Sequence, residues 1–346
     1  MLRKEMVKFM SNRKDVVEKA GSLNRKDIVE KTASLVAKDM SLGPVDKEWL
    51  DNKINLLLIY EVINGNPNGD PDSGNMPRQN VDTGKGYVTN VCINRKIRNA
   101  IELLFAGIPG MDIFVTKGVA LDAGQKEAMA AIPRPDKKGG NSAESIAEYA
   151  RRLKRWMCDK YFDVRAFGQV CQLLTKGVEK GGAGVDGAIT GCVQFNVGKS
   201  VDPVNIERVT ITRCALANQE EVDKHKSNTM GVKYMIPYGL YTQHCSISPY
   251  LCKQTGFTED DLDKLLEAIK VMFELDKSSA RGEMRLRKLI MFRHDSRWGK
   301  SEQKCYDSVV IHKKAGVDVP DSYEDYEIEL LDTVPEGVTR TVLVDD

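Results

Sequence analysis

The feature that most constrains this chain is a single stretch, residues 54–98, in which a strand signal, a rigid loop and a basic helix follow one another. Ile54, Leu56, Leu57, Leu58, Ile59, Tyr60, Val62 and Ile63 are eight apolar residues within ten positions. A run that short and that apolar, bounded by Asn and Gly, predicts a buried strand. Asn64-Gly65-Asn66-Pro67-Asn68-Gly69-Asp70-Pro71 comes next. No helix or strand interior tolerates so many turn formers, so the spacing predicts an open loop. Thr89 or Asn90 can then cap a helix through Cys92, Ile93, Ile97, Ile101 and Leu104. Its polar face is expected to carry Arg95, Lys96 and Arg98.

The 346 residues allow one large domain or two ordinary ones. No apolar run approaches the roughly 18 residues of a membrane span. The start, MLRKEMVKFM, lacks the apolar core of a secretory signal. The cysteines at 92, 158, 171, 192, 214, 245, 252 and 305 form no C-x-x-C pair. They are expected to be reduced core residues of a cytoplasmic protein rather than a zinc or redox site. The net charge of +1 hides an asymmetry. Residues 315–346 hold ten acids and one base, while residues 51–314 carry a surplus of seven bases. A basic body with an acidic tail is compatible with a polyanionic partner.

Within residues 1–50, Asn12–Lys19 recurs as Asn24–Lys31, which predicts a peripheral helical extension. Residues 107–140 are rich in Gly and Pro and are expected to be irregular. Ile146, Tyr149, Ala150, Leu153, Trp156 and Met157 then mark one face of a helix beginning near Ser142. Residues 176–200 are Gly-rich. Alternating apolar residues from Ile206 to Leu216, and again from Met230 to Tyr241, flank a polar segment and predict a protruding hairpin. Thr258 followed by Asp261 resembles a capping box for a helix carrying Leu262, Leu265, Leu266, Ile269, Met272 and Phe273. Arg285–Phe292 reads as a strand. The expected fold is therefore α+β, an RRM-like or ferredoxin-like βαββαβ core with insertions.

Motifs for chemistry fail on inspection. Gly198-Lys199-Ser200 ends like a phosphate-binding loop, but Val193 stands where that loop needs glycine. Asn68, Asp70 and Asp72 have calcium-loop spacing, but Ser73 and Gln79 replace the required Gly and Glu. The histidines, 225, 244, 294 and 312, have no metal-ligand spacing. His225 or His244 could still serve a metal-independent ribonuclease as general acid and base. A binding constellation remains. Open Gly/Asn loops expose N–H groups that hold phosphates, Arg and Lys add charge, and Phe, Met and Tyr offer faces to bases.

Several motifs in order resemble one family. The N-G-N-P-N-G-D-P loop with Arg95-Lys96-Ile97-Arg98-Asn99 is similar to that of the crRNA-binding backbone subunit of type I-C CRISPR Cascade. So are Asp163–Val170, Gly187–Gly191 with Val193-Gln194 and Ser200–Pro203, and Thr229–Gly231 with Pro237–Tyr241. The resemblance spans roughly residues 52–312. It implies a hand-shaped protein with an RRM-like palm, fingers at about 107–165 and a thumb at about 212–236. It implies copies stacked head to tail along a crRNA beside other Cascade subunits, with target DNA read through the guide and no catalysis, cofactor or metal. The candidate RNA contacts are Asn68, Arg78, Arg95, Lys96, Arg98, Gln169, Lys199, Ser200, Arg213, Met230 (as a wedge), Lys233 and Arg281. The alternative kept open is a metal-independent pre-crRNA endoribonuclease.

Overall fold

The computed structural model describes residues 48–132, 143–170, 187–213 and 229–346, all within the unit Val45–Asp346. The internal repeat, most of the Gly-rich run before residue 187, the segment 214–228 and His225 lie outside the described residues.

The chain opens with β1 (Ile54–Gly65), a short ribbon β2 (Gly69–Asp70) and β3 (Met76–Pro77), then β4 (Lys85–Val88). Helices α1 (Asn90–Leu104), α2 (Leu121–Ala131), α3 (Ala143–Lys160) and α4 (Phe162–Phe167) follow. Next come β5 (Gly168–Val170), β6 (Ala188–Thr190), β7 (Val193–Phe195), β8 (Gly198–Pro203), β9 (Glu207–Arg213) and the long β10 (Thr229–Ile247). Helices α5 (Pro249–Thr255) and α6 (Glu259–Leu275) lead to β11 (Glu283–His294) and α7 (Glu302–Tyr306). The chain ends with β12 (Val309–Lys313), β13 (Tyr326–Leu330) and β14 (Val338–Asp345).

The main sheet is antiparallel, in the order β14-β11-β1-β10-β8-β4, with β7 and β9 also pairing β10. Side chains alternate across a strand, so β1 serves two cores. Ile54, Leu56, Leu58, Tyr60 and Val62 meet Ile93, Ile97 and Ile101 of α1 and Leu265, Ile269 and Phe273 of α6. Leu57 and Ile59 face the other way, into Leu240, Ile290, Phe292, Cys305, Tyr306 and Tyr326. Burial on both faces explains why β1 is a continuous apolar run rather than an alternating one. Each such side chain contributes about 1.5–3 kcal/mol on leaving water.

Local signals account for the helices. Thr89 caps α1 by accepting from the Cys92 N–H at 3.2 Å. The capping box of α6 forms in both directions. Thr258 Oγ1 accepts from the Asp261 N–H at 3.2 Å, and Asp261 Oδ2 accepts from the Thr258 N–H at 3.0 Å. The same Asp261 carboxylate receives Arg165 in two hydrogen bonds, 2.9 and 2.6 Å, so one acid fixes a helix start and anchors α4 against it. Among the described residues no helix is long and apolar enough to cross a membrane.

Two expectations need correction. The stretch 107–140 is not wholly irregular, because α2 forms within it, and Gln125 and Ala128 are its buried contacts. The acidic segment 315–346, expected as a tail, contributes strands to two sheets. β13 pairs β12 with Tyr326, Ile328 and Leu330 turned to the second core and Glu327 and Glu329 turned to solvent. β14 joins the main sheet through β11. The acids there are the solvent face of a two-residue alternation, which net charge alone conceals.

Candidate nucleic-acid interface

The loop after β1 is held open by its own polar side chains. Asn68 Oδ1 accepts from the Thr89 N–H at 3.0 Å and from the Thr89 hydroxyl at 2.9 Å. Asn66 Nδ2 donates to the Asn75 carbonyl at 2.7 Å. Asp70 accepts from the Asp72 N–H and the Ser73 hydroxyl, each at 3.4 Å. Of the Asx residues at calcium-loop spacing, Asp70 therefore closes a local turn and Asn68 tethers the loop to the start of α1. The loop also receives segment 276–282. The Asn66 N–H donates to the Ala280 carbonyl at 2.9 Å. Gly65 lies so close to that segment that a Cβ would sit 1.9 Å from the Arg281 carbonyl oxygen. Only glycine permits this backbone approach.

Between the loop, the first turn of α1 and segment 278–281 lies a cleft of about 720 Å³. Asn68, Arg78, Arg95, Lys96 and Arg281 all line it. Five sequence candidates, drawn from four separate segments, thus converge on one place. Asn90 and Val91 also line it. First-turn N–H groups have no intrahelical acceptor, and the helix dipole adds positive potential where they open. Four cations face two carboxylates. Arg78 pairs with Asp70 at 3.3 Å, and Asp276 takes both Arg281, at 2.7 Å, and Lys96. Arg95 makes no ion pair among the described residues. Burial, and then the neighbouring Arg98 guanidinium, lower its pKa from the ordinary arginine value. An anion in the cleft would relieve that repulsion.

The structure turns three candidates inward and disperses others. Lys96 is 1 % exposed, and its ammonium is committed to Asp276. Burial lowers the Lys96 pKa, while Cys92 and Asp276 oppose the shift. Arg98 turns inward to Asp163 at 2.7 Å and lies 5.1 Å from the centre of the Phe167 ring. The face expected to be polar on α1 is therefore partly interior. Ser200 is buried, accepts from the Gly86 N–H at 2.9 Å and spends its one donor on the Asp202 carbonyl at 2.6 Å. Gln169, on β5, donates to the Val170 carbonyl at 3.2 Å, away from the cleft lining. Lys199 is exposed on β8. Met230, 74 % exposed, and Lys233 lie on the arm where β10 pairs β9, with Arg213 at the end of β9. Lys233 donates to the Ser279 carbonyl, which ties the arm to the segment carrying Arg281.

Sequence reasoning missed Asn66, Asn75 and Asp276. Asn66 belonged to a visible turn-forming run, but its backbone partner, Ala280, is more than two hundred residues away, and Asn75 lies just beyond that run. Of the histidines, His294 is buried, its Nε2 is 2.7 Å from Asn55 Oδ1, and its Nδ1 accepts from the Lys300 N–H at 3.0 Å. His244 stacks on Tyr306 with ring centres 3.8 Å apart. Burial lowers its pKa, and Glu302 opposes the shift.

This arrangement defines a class: an α+β protein with an antiparallel sheet and a cation-rich, donor-rich cleft at the end of its central strand. The family model described as CRISPR-associated protein Cas7 matches residues 52–331, and the chain belongs to that family. A CRISPR-associated protein Cas7 from Haloferax volcanii is 23 % identical over 221 residues. That alignment covers 62 % of each chain, so this chain spans about three-fifths of that relative's length. A CRISPR RNA-guided surveillance complex captured before nicking contains a chain similar at a TM-score of 0.43 and 14 % identity, over 69 % of this chain and 78 % of that one. A chain of the Type III-B Cmr-beta complex bound to cognate target RNA is similar at 0.36 and 11 %, over 82 % and 75 %.

Proposed function

We propose that this chain is a non-catalytic crRNA-binding backbone subunit of a type I-C Cascade complex in the cytoplasm. Copies line up head to tail along the guide, beside other subunits, and leave the bases free to pair with target DNA. A heterologous contact that does not close on itself grows in this way. In this reading β1, α1, β8, β10, α6 and β11 are the RRM-like palm, residues 107–165 the fingers, and the β9–β10 arm the thumb, with Met230 as its wedge. Residues 1–50 are a separate extension.

The observation that carries the proposal is the convergence of Asn68, Arg78, Arg95 and Arg281 on the cleft at the start of α1, in a chain of the Cas7 family. The groups there are mainly donors and cations, which suit phosphates and do not select a base. Sequence reading then falls to the guide, a division of labour known in another RNA-guided effector. Titrating single-stranded RNA at several salt concentrations tests this. The proposal expects log affinity to fall linearly with log salt, and Arg95→Ala to reduce the slope by about 0.7, the loss of one phosphate contact. Salt-independent binding, or an unchanged slope in Arg95→Ala, would contradict it.

A further inference from the structure

The main sheet is covered unevenly on the face away from α1 and α6. Over β1 and β11 it is capped by Cys305 and Tyr306 of α7 and by the β12–β13 pair. At the β4–β8 side it carries a different set of side chains. Gly86 points into the core, since a Cβ there would sit 2.3 Å from the Tyr241 hydroxyl. Its neighbours Lys85 and Tyr87, half-buried on either side of the buried Gly86, project to the opposite face, and the β4–β8 register shifts between them. Tyr87 is directly opposite Lys199 in the ladder, and Lys199 is opposite Thr242. Residues opposite each other share a face, with Cβ atoms about 5 Å apart, and Lys85 lies about 7 Å along the strand from Tyr87.

Tyr87 and Lys85 are half-exposed and Lys199 is exposed. Among the described residues none of the three side chains has a hydrogen bond, ion pair or ring partner. The nearby Asp202 carboxylate accepts from the Tyr326 hydroxyl at 2.8 Å and forms no ion pair with either lysine. The strand carrying the row also adjoins a segment that lines the cleft. The Tyr87 N–H donates to the Arg78 carbonyl at 3.0 Å, and Arg78 lines the cleft.

An aromatic face between two unpaired cations, one strand from a phosphate-binding cleft, suits a nucleotide better than a protein surface, whose buried centre excludes lysine. We propose that Tyr87, bracketed by Lys85 and Lys199, is a base-stacking position for single-stranded RNA leaving the cleft. The inference rests on the RNA-binding reading above and adds to it a contact to a base. Tyr87 stacks on the base while the lysines hold the flanking phosphates. Stacking on an aromatic face tolerates any base, so the position adds affinity without sequence preference.

The test measures binding of the full chain to single-stranded RNA and to the same strand with abasic sites. Tyr87→Ala is expected to lose about tenfold in affinity for RNA and nothing for the abasic strand, while Tyr87→Phe keeps wild-type affinity. Lys85→Ala and Lys199→Ala are each expected to lower the salt slope by about 0.7. Crosslinking RNA containing 4-thiouridine to the wild-type chain needs no variant and is expected to label Tyr87. Absence of that label overturns the proposal, as does equal binding by Tyr87→Ala and wild type. A Tyr87→Ala loss that is the same on the abasic strand also overturns it, as a structural effect. If wild type shows no salt-sensitive RNA binding at all, the broader reading falls instead.

Discussion

Replacing Asp163 by Ala is predicted to be among the most damaging single changes in the chain. Its carboxylate is fully buried and accepts from Arg98 Nε at 2.7 Å, the Phe114 N–H at 2.8 Å and the Val115 N–H at 3.2 Å. Removing it strands a buried guanidinium, which costs about 3–5 kcal/mol. Two backbone N–H groups also lose their acceptor, at about 1 kcal/mol or more each. Relaxation makes these terms less than additive, so about 5 kcal/mol is expected. For a chain of this size that lowers the melting temperature by roughly 7 °C. Denaturant titration of Asp163→Ala, Arg98→Met and the double variant completes a cycle. Removing both charges should recover about 2–3 kcal/mol relative to summed single losses. Arg98→Met, measured cold where it remains folded, should bind RNA as wild type does. The reasoning is refuted if Arg98→Met melts like wild type yet loses RNA affinity, because Arg98 would then be a contact and not a core residue.

Gly282 has φ +62°, and a Cβ there would lie 2.4 Å from the Asn64 carbonyl oxygen, so Gly282→Ala should cost about 2 kcal/mol or more in denaturant titration and loosen Arg281. Burial, and then Lys53, hold His294 below the ordinary imidazole pKa. The unfolded chain therefore binds the extra proton first, so stability from this group is present above about pH 6.5 and is lost as pH falls through that value. Melting temperatures between pH 7.5 and 5.5 should show this fall, and His294→Gln should flatten it. Asp276→Asn, which frees Arg281 and Lys96 from their shared carboxylate, should raise affinity for single-stranded RNA several-fold at low salt and steepen the salt slope; unchanged binding would show that Arg281 does not meet the phosphates.

The parts of this fold legible in the sequence were those with local causes. The strand–loop–helix stretch, the Thr258 cap and the stripes of α3 and α6 depend on residues within a turn or two of one another, and they form where their spacing puts them. What escaped depends on distant partners. Lys96 and Arg98 look like a solvated basic face until Asp276 and Asp163 are brought to them from other parts of the chain. Ser200 looks available until Gly86 is placed across the ladder. Glu327 and Glu329 look like part of an acidic tail until Tyr326, Ile328 and Leu330 find a core to face. The cleft itself was half legible. Its loop was visible as a turn-forming run, but Arg281 joins it only because β11 lies beside β1.

The most direct test of the central claim is to isolate the full chain without added RNA and examine the nucleic acid that comes with it. The account predicts large assemblies in a ladder of sizes, holding RNA of uniform length that is protected from nuclease at regular intervals. A clean monomer free of RNA, with no salt-dependent binding to added single-stranded RNA, would contradict it.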